Sequence, residues 1–184
     1  MKFQDKTVII TGGSRGIGFA TAAAFLREGA RVVITASRPE TAEKAVKELK
    51  EQFPKSVIMG ISPDLSKLEE VKERFAAIRQ ELGSIDVLIN NAGISESTPL
   101  ASYTEELYDK VMDLNVKGVF NATRAAAEIM EAQGGGVILN TSSMVSRYGQ
   151  PAGFAYPTSK FAVDGMTLSL ARELGPKGIR VNAV

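Results

Sequence analysis

The segment from residue 7 to residue 25 limits the possible folds of this chain most, because three glycines join an apolar run to a helical pattern. The run Thr7-Val-Ile-Ile10 predicts a buried strand. The residues after it are spaced as one helix face: Ile17, Ala20, Thr21, Ala24 and Phe25. Glycine permits a tight turn and close backbone approach, and a helix N-terminus offers free N–H groups to a phosphate. This context predicts a dinucleotide-binding turn at Gly12, Gly16 and Gly18 rather than an ordinary tight turn.

Strand-like and helix-like segments alternate along the rest of the chain. The predicted strands are Thr7–Thr11, Arg31–Ala36, Ser56–Ile61, Ile85–Asn90, Gly136–Thr141 and Ile179–Ala183. The predicted helices are Gly16–Glu28, Pro39–Gln52, Lys67–Leu82, Tyr103–Ala132 and Pro157–Leu174. This alternation predicts an α/β fold, a doubly wound parallel sheet with helices on both faces. No repeat or linker divides the chain, so we expect residues 1–184 to form a single domain.

Composition narrows the chemistry through what is missing. The chain has no histidine and no cysteine, which excludes serine–histidine triads, thiolate chemistry and histidine-ligated zinc, and we expect no metal site. The 22 basic and 21 acidic residues give a net charge of +1, which does not favour a nucleic-acid or membrane partner. The first strand begins almost at once, so we expect no signal peptide and a cytoplasmic location.

Tyr156 and Lys160 are the strongest candidates for proton transfer. They lie four residues apart at the start of a predicted helix, and this spacing places two side chains on one helix face. A neighbouring ammonium group favours the phenolate form of a tyrosine, so the pair is poised to give and take a proton. In isolation, the same pattern also fits a half-buried aromatic residue beside a solvated lysine.

Taken together, these motifs resemble the short-chain dehydrogenase/reductase family along the whole chain. The matching residues are Thr11-Gly-x-x-x-Gly-x-Gly18, Asp64, Asn90-Asn-Ala-Gly93, Asn115, Ser143 and Tyr156-x-x-x-Lys160. The resemblance implies a Rossmann-like sheet that binds NAD or NADP. It also implies hydride transfer between a nicotinamide and a carbonyl or alcohol carbon.

The resemblance assigns catalytic roles to four residues. Tyr156 would be the general acid for carbonyl reduction and the base in the reverse direction. Lys160 would support the phenolate and hold the nicotinamide ribose hydroxyls. Ser143 would bond the substrate oxygen, although the neighbouring Ser142 is an alternative. Asn115 would hold a water that links Lys160 to solvent, or would satisfy backbone groups in a distorted helix.

The same resemblance implies a set of cofactor contacts in three loops. The candidates are Gly12, Ser14, Arg15, Gly16, Ile17 and Gly18 in the first loop, Asp64 and Leu65 in the second, and Asn91, Ala92 and Gly93 in the third. Tyr156 and Lys160 complete the set. Asp64 would contact the adenine amino group, or it is a plain turn residue.

The end of the second predicted strand indicates which cofactor is used. NAD-using members have an acidic residue there, which binds the ribose hydroxyls and repels a 2′-phosphate. This chain has Ala36-Ser37-Arg38 instead, and Arg15 can approach the same place. Two arginines and a serine suit a phosphate dianion, so we predict NADP. The alternative is that Ser37 caps the next helix, because Ser37-x-x-Glu40 also fits a capping box.

Among family members, the chain looks most similar to 3-oxoacyl-acyl-carrier-protein reductases. Hydroxysteroid, sugar and general carbonyl reductases are alternatives for the substrate, and a non-catalytic NADP-binding regulator is an alternative of another class. Members continue beyond a strand such as Ile179–Ala183 into a substrate lid and a final strand, which this chain lacks. We therefore expect a C-terminal truncation, and a homotetramer for the complete protein.

Overall fold

The computed structural model describes residues 1–184, and its centre is one parallel sheet of six strands. The strands are β1 Thr7–Ile10, β2 Arg31–Thr35, β3 Ile58–Ile61, β4 Val87–Asn90, β5 Gly136–Asn140 and β6 Ile179–Ala183. Their order in the sheet is β3-β2-β1-β4-β5-β6, and every pair is parallel. The predicted doubly wound parallel sheet is confirmed.

Helices cover both faces of this sheet. They are α1 Gly16–Arg27, α2 Pro39–Gln52, α3 Leu68–Leu82, α4 Glu105–Met112, α5 Gly118–Ala132, α6 Val145–Tyr148 and α7 Ala155–Leu174. The central strands β1, β2 and β4 are buried on both faces, so alternate residues enter different cores. In β1, for example, Val8 and Ile10 join the core under α1 and α2, whereas Ile9 joins the core under α3, α5 and α7. None of the helices has the length and apolar character needed to span a bilayer.

The strand order creates the crevice in which ligands bind. From β1 the chain proceeds outwards through β2 to β3, and then returns to β4 on the other side of β1. The loops that follow β1 and β4 therefore leave the sheet in opposite directions. Open α/β sheets bind ligands at the carboxyl ends of the strands at such a reversal.

The predicted long helix Tyr103–Ala132 is continuous from Glu105, but it begins two residues later than predicted and is not α-helical throughout. A 3-10 turn at Leu100–Ser102 precedes α4, which begins after Thr104, whose hydroxyl accepts a hydrogen bond from Leu107 N at 3.2 Å. A π-helical turn, Asp113–Lys117, separates α4 from α5. Such turns place an extra residue in the helix and are frequent at functional sites.

Two further differences concern the region before α7. The short helix α6 has no counterpart among the predicted elements. The last helix begins at Ala155, two residues earlier than predicted, so Tyr156 belongs to its first turn. Pro157 does not interrupt the helix because proline is tolerated in the first turn, where its missing N–H has no partner to lose.

Buried polar side chains at the ends of β4 and β5 link α5 to α7 through a series of hydrogen bonds. Asn90 Nδ2 donates to Thr123 Oγ1 and to Asn140 Oδ1, both at 2.9 Å. Asn140 Nδ2 then donates to Thr167 Oγ1 at 2.8 Å, and Thr167 donates to Val163 O at 2.7 Å. These bonds fix the carboxyl ends of β4 and β5, from which the site loops depart.

We predict that Asn140→Ala lowers the free energy of unfolding by about 2 kcal/mol or more, because it leaves a buried Asn90 N–H without an acceptor. Urea denaturation measures the effect. The matched control is Asn182→Ala at an exposed position of β6, which should change stability by no more than about 0.5 kcal/mol. Equal stabilities of the two variants would contradict the structural role of Asn140.

Candidate active site

A cavity of about 950 Å³ opens at the carboxyl ends of the strands, around the β1–β4 boundary. Its wall includes most of the predicted cofactor residues: Gly12, Ser14, Arg15, Gly16, Ile17, Ser37, Asp64, Leu65, Asn91, Ala92 and Gly93. Gly18, Arg38, Tyr156 and Lys160 are not part of the wall. The three predicted loops therefore converge on one cavity.

The glycine-rich turn has the backbone geometry that its sequence predicts. Gly12 and Gly16 have φ values of +65° and +55°, a region that residues with a side chain rarely adopt. A Cβ on Gly12 would lie 2.9 Å from Ala92 Cα, and a Cβ on Gly18 would collide with the carbonyl oxygen of Gly12. Gly18 thus lies behind the cavity wall, where it lets α1 approach the turn.

The N-terminus of α1 is open to an anion. No side chain caps it, and its first turn contains no acidic residue. The first turns of α2, α3 and α4 all carry glutamates, which satisfy the positive end of a helix dipole. The free N–H groups and the dipole of α1 therefore face the cavity without a capping side chain or an acidic residue in the helix's own first turn, and this fits the pyrophosphate of a dinucleotide.

Asn91 and Thr11 hold the turn against the end of β4. Asn91 Nδ2 donates to the carbonyl oxygens of Thr11 and Gly12, both at 3.1 Å. Thr11 Oγ1 accepts the N–H groups of Asn91 and Ala92, both at 3.0 Å. On the other side, Gly12 N donates to Thr35 Oγ1 at 3.1 Å. These contacts fix the floor of the cavity before any ligand arrives.

Asp64 and Ser37 border the cavity beyond the ends of β3 and β2. Asp64 Oδ1 accepts from Ser66 Oγ at 2.7 Å and from Ser66 N at 3.0 Å, and these bonds hold the pKa of the Asp64 carboxyl below its ordinary value. The carboxylate is thus used in its own turn while the residue borders the cavity. Ser37 is exposed and makes no capping bond. The N-cap of α2 is Arg38, so the predicted capping box at Ser37 is not formed.

Tyr156 and Lys160 meet on the first turns of α7. Lys160 Nζ lies 5.6 Å from the centroid of the Tyr156 ring and donates to Thr141 O at 2.7 Å. The lysine is only 6% exposed. Burial lowers the pKa of the Lys160 ammonium, and the charge of Asp164 partly opposes that shift. A buried ammonium group beside a phenol is the arrangement predicted from the spacing of the two residues.

The carboxamide of Asn115 connects the cavity to α7. Its Oδ1 accepts from Ile94 N at 2.9 Å, and its Nδ2 donates to Ile94 O at 2.9 Å and to Ser159 Oγ at 3.0 Å. Ser159 in turn donates to Tyr156 O at 2.6 Å. Ile94 borders the cavity, so the two parts of the site share one rigid contact. The sequence reasoning missed Ser159, although its position three residues after Tyr156 indicates a shared helix face.

Ser143 lies after β5, on the wall of a second cavity of about 870 Å³ that Asp164 and Val184 also border. Ser143 Oγ accepts a long hydrogen bond from Val145 N at 3.4 Å, so its own proton is available for another acceptor. Ser142 Oγ instead lies 3.4 Å from Ser146 Oγ. Of the two serines, Ser143 has the freer donor.

Comparison with known proteins identifies relatives along the full chain. The family model for short chain dehydrogenases matches residues 6–184. A 3α-hydroxysteroid dehydrogenase of Mediterraneibacter gnavus is 53% identical over 184 residues, which is 100% of this chain and 74% of the relative. A 3-oxoacyl-acyl-carrier-protein reductase of Thermotoga maritima is 40% identical over the same shares of the two chains.

Solved structures agree with the sequence relatives. The crystal structure of NAD⁺-bound xylitol dehydrogenase has a TM-score of 0.94 and 33% identity, and the match covers 100% of this chain and 70% of that one. A gluconate 5-dehydrogenase from Burkholderia cenocepacia, in complex with NADP and tartrate, has a TM-score of 0.92 and 28% identity, over 99% of this chain and 71% of that one. The parallel sheet, the glycine turn and these relatives together show that the chain belongs to the short-chain dehydrogenase family.

Proposed function

We propose that this oxidoreductase uses NADP to interconvert a carbonyl compound and a secondary alcohol, with Tyr156 as the residue that moves the proton. The observation that carries the proposal is the buried Lys160 ammonium, 5.6 Å from the Tyr156 ring centroid, in a chain without histidine. In such a site the tyrosine is the natural proton donor, because the ammonium stabilises the phenolate that remains.

The residues divide the reaction between them. Bound NADPH would supply the hydride. Tyr156 donates its hydroxyl proton to the oxygen that becomes the alcohol, and Ser143 donates a hydrogen bond to the same oxygen as negative charge develops on it. Lys160 has three N–H donors, of which one is used on Thr141 O, so two remain for the ribose hydroxyls.

Proton resupply to Tyr156 is proposed to pass through Lys160 and a water near Asn115. Both N–H donors of the Asn115 side chain are already used, on Ile94 O and Ser159 Oγ. A water held by Asn115 would therefore donate to one of its oxygens rather than accept from its side chain. The π-helical turn supports this role, because turns of this kind disturb the regular pairing of main-chain carbonyls.

The choice of NADP over NAD is proposed from the end of β2. The buried Ala36 stands where an acidic residue would exclude a 2′-phosphate. Arg15 and Ser37 border the cavity beside it, and Arg38 is exposed next to Ser37. The two arginines form no ion pair within the chain, so their charges are free to bind a phosphate dianion.

The substrate class is proposed from the relatives. The 53% identity to a 3α-hydroxysteroid dehydrogenase exceeds the 40% identity to a 3-oxoacyl-acyl-carrier-protein reductase. A hydroxysteroid is therefore the first candidate and a 3-oxoacyl thioester the second, which reverses their order in the sequence analysis. A non-catalytic NADP-binding protein would bind NADPH but oxidise it with neither a 3-oxosteroid nor acetoacetyl-coenzyme A.

We predict that Tyr156→Phe lowers kcat of the active enzyme by at least about 10², the typical effect of removing a general acid. The NADPH dissociation constant should stay within about twofold, since the phenol loses one hydroxyl while Lys160 keeps its contacts. Stopped-flow absorbance of NADPH and a fluorescence titration measure the two quantities. Turnover of the variant at the wild-type rate would disprove the assignment.

We predict that Ala36→Asp combined with Arg38→Leu weakens NADPH binding by about tenfold or more and relatively favours NADH. The variant loses a charge-assisted contact and gains a repulsion against the phosphate. Titrations with both cofactors measure the ratio, and Arg74→Leu, at an exposed arginine on α3, is the control for the loss of an arginine elsewhere on the surface. Equal catalytic efficiency of the unaltered enzyme with NADH and NADPH would contradict this choice.

We further propose that the complete protein is a homotetramer in which α5 and α7 pair across a twofold axis. Phe120 on α5 is 44% exposed, and Phe161 and Leu168 on α7 are 54% and 71% exposed. Val119 and Thr123, which also lie on α5, are buried in the core instead. An exposed apolar stripe on two long helices suits an isologous contact.

We predict that Leu168→Glu lowers the mass in solution, because a charge in an apolar contact opposes association. Light scattering at micromolar protein concentration measures the mass, and circular dichroism verifies that the fold is retained. The control is Arg172→Ala, at an exposed polar position one turn further along α7, and it shows whether the effect is specific to the apolar contact. A monomeric unaltered protein would refute the proposed pairing.

A further inference from the structure

A cluster of hydrogen bonds and stacked rings joins the loop after β4 to the loop before α7. Its members come from three separate segments, and none of them is a catalytic or cofactor residue of the proposed mechanism. They are Glu96, Thr98, Tyr103, Gln150, Gly153 and Phe154. Its last three members, Gln150, Gly153 and Phe154, lie immediately before Tyr156 in the chain.

The carboxylate of Glu96 organises the first loop. Its Oε1 accepts from the Tyr103 hydroxyl at 2.8 Å, and its Oε2 accepts from Thr98 N at 2.8 Å. Burial, together with the bond to Glu96, raises the pKa of Tyr103 to about 12. The Tyr103 hydroxyl therefore stays protonated, and donates a hydrogen bond to Glu96, at every pH at which the enzyme would be assayed.

The main chain of this loop then holds the second loop. Gln150 Nε2 donates to Glu96 O at 2.9 Å and to Gly153 O at 2.6 Å, and Gly153 N donates to Thr98 O at 2.9 Å. Gly153 is buried with φ at +76°, and a Cβ there would collide with Glu96 O. The two loops approach so closely that only glycine fits between them.

The second loop continues directly into the helix that carries the proton donor. Gly153 O accepts from Tyr156 N at 3.3 Å. The Phe154 ring lies against Tyr103, with centroids 4.8 Å apart. The main chain of Tyr156 is thus held on its C-terminal side by Ser159, which Asn115 contacts in turn. On its N-terminal side it is held by the loop that Glu96 organises.

We propose that Glu96 is a positioning residue, which fixes the first turn of α7, and with it the Tyr156 hydroxyl, through Tyr103, Gln150 and Gly153. The inference rests on the proposed function of Tyr156. A proton donor has to be held within about 0.5 Å of its productive position, and a 1 Å displacement can cost on the order of 10² in rate. A hydrogen bond from a phenol to a charged carboxylate restrains a loop more strongly than a bond between neutral groups does.

The test compares variants that remove the bond with variants that remove unused groups. Glu96→Ala and Tyr103→Phe, alone and together, break the bond, whereas Glu96→Gln keeps an oxygen for Tyr103. Glu105→Gln is the control for charge, since this glutamate is exposed at the start of α4. Tyr108→Phe is the control for the phenol: its ring also lies 6.0 Å from Phe154, but its hydroxyl forms no hydrogen bond within the chain.

Two readouts separate positioning from general stability. The first is hydrogen exchange of the peptide that spans residues 150–158, with buried amides of α5 as the internal reference. The second is kcat and KM for NADPH-dependent reduction of a 3-oxosteroid and of acetoacetyl-coenzyme A, together with the NADPH dissociation constant. A structural role alone would change exchange in both peptides and would not lower kcat selectively.

Glu96→Ala and Tyr103→Phe should each lower kcat by about tenfold, within the range expected for a misplaced catalytic group. They should accelerate exchange in residues 150–158 but not in α5, and leave NADPH affinity within twofold. The double variant should resemble Glu96→Ala, since both single changes remove the same bond between Tyr103 and Glu96. Glu96→Gln should recover most of the rate, and the two controls should match the wild type.

Unchanged exchange in residues 150–158, or effects of equal size in the controls, would overturn the proposal. A lower kcat without faster exchange would also overturn it, because the loop would then not transmit the change. If the unaltered protein reduces neither probe, the proposed function fails on these substrates. The exchange measurement alone then decides whether Glu96 fixes the first turn of α7.

Discussion

The burial of the Lys160 ammonium group is the constraint on which the rest of the site depends. A lysine that is 6% exposed has lost most of its hydration, yet it forms no ion pair and donates within the chain only to Thr141 O. A poorly solvated cation of this kind stabilises any anion or oxygen acceptor that approaches it. The Tyr156 phenol and the ribose hydroxyls are the groups that the proposed function brings there.

Polar side chains at the ends of the central strands link the helix that carries this lysine to the sheet and to the loop at the cavity wall. Asn90 and Asn140 join β4 to β5 and reach both α5 and α7, so the helix that carries Lys160 cannot slide along the sheet. Asn115 continues the connection from α7 to Ile94 at the cavity wall. Buried networks of this kind specify one arrangement when their polar groups have partners, and among these asparagines only Asn90 Oδ1 is buried without one. The hydrogen bonds at these positions thus convert a common fold into a site of fixed geometry.

Local pattern was sufficient for the sheet and for the Tyr156–Lys160 pair. The six strands are apolar runs, and a spacing of four residues fixes the shared face of a helix regardless of its surroundings. The π-helical turn at Asn115 has no such local pattern, and the side chain that it carries bonds Ile94, which is 21 residues away. The same holds for the Glu96 cluster, in which residues 54 positions apart meet. Ser37 does not cap α2, because the N-cap is the next residue, Arg38, and helix boundaries are difficult to predict to within one residue.

Lys160 is proposed to serve both the cofactor and the proton donor, and the most direct test compares NADPH binding by Lys160→Met and by the wild type. Methionine fills a similar volume without a charge, so the fold should be retained. We expect the variant to bind NADPH at least about tenfold more weakly, through loss of charge-assisted hydrogen bonds, and to lose turnover as well. A variant that binds NADPH as tightly as the wild type and still turns over would show that Lys160 has neither role.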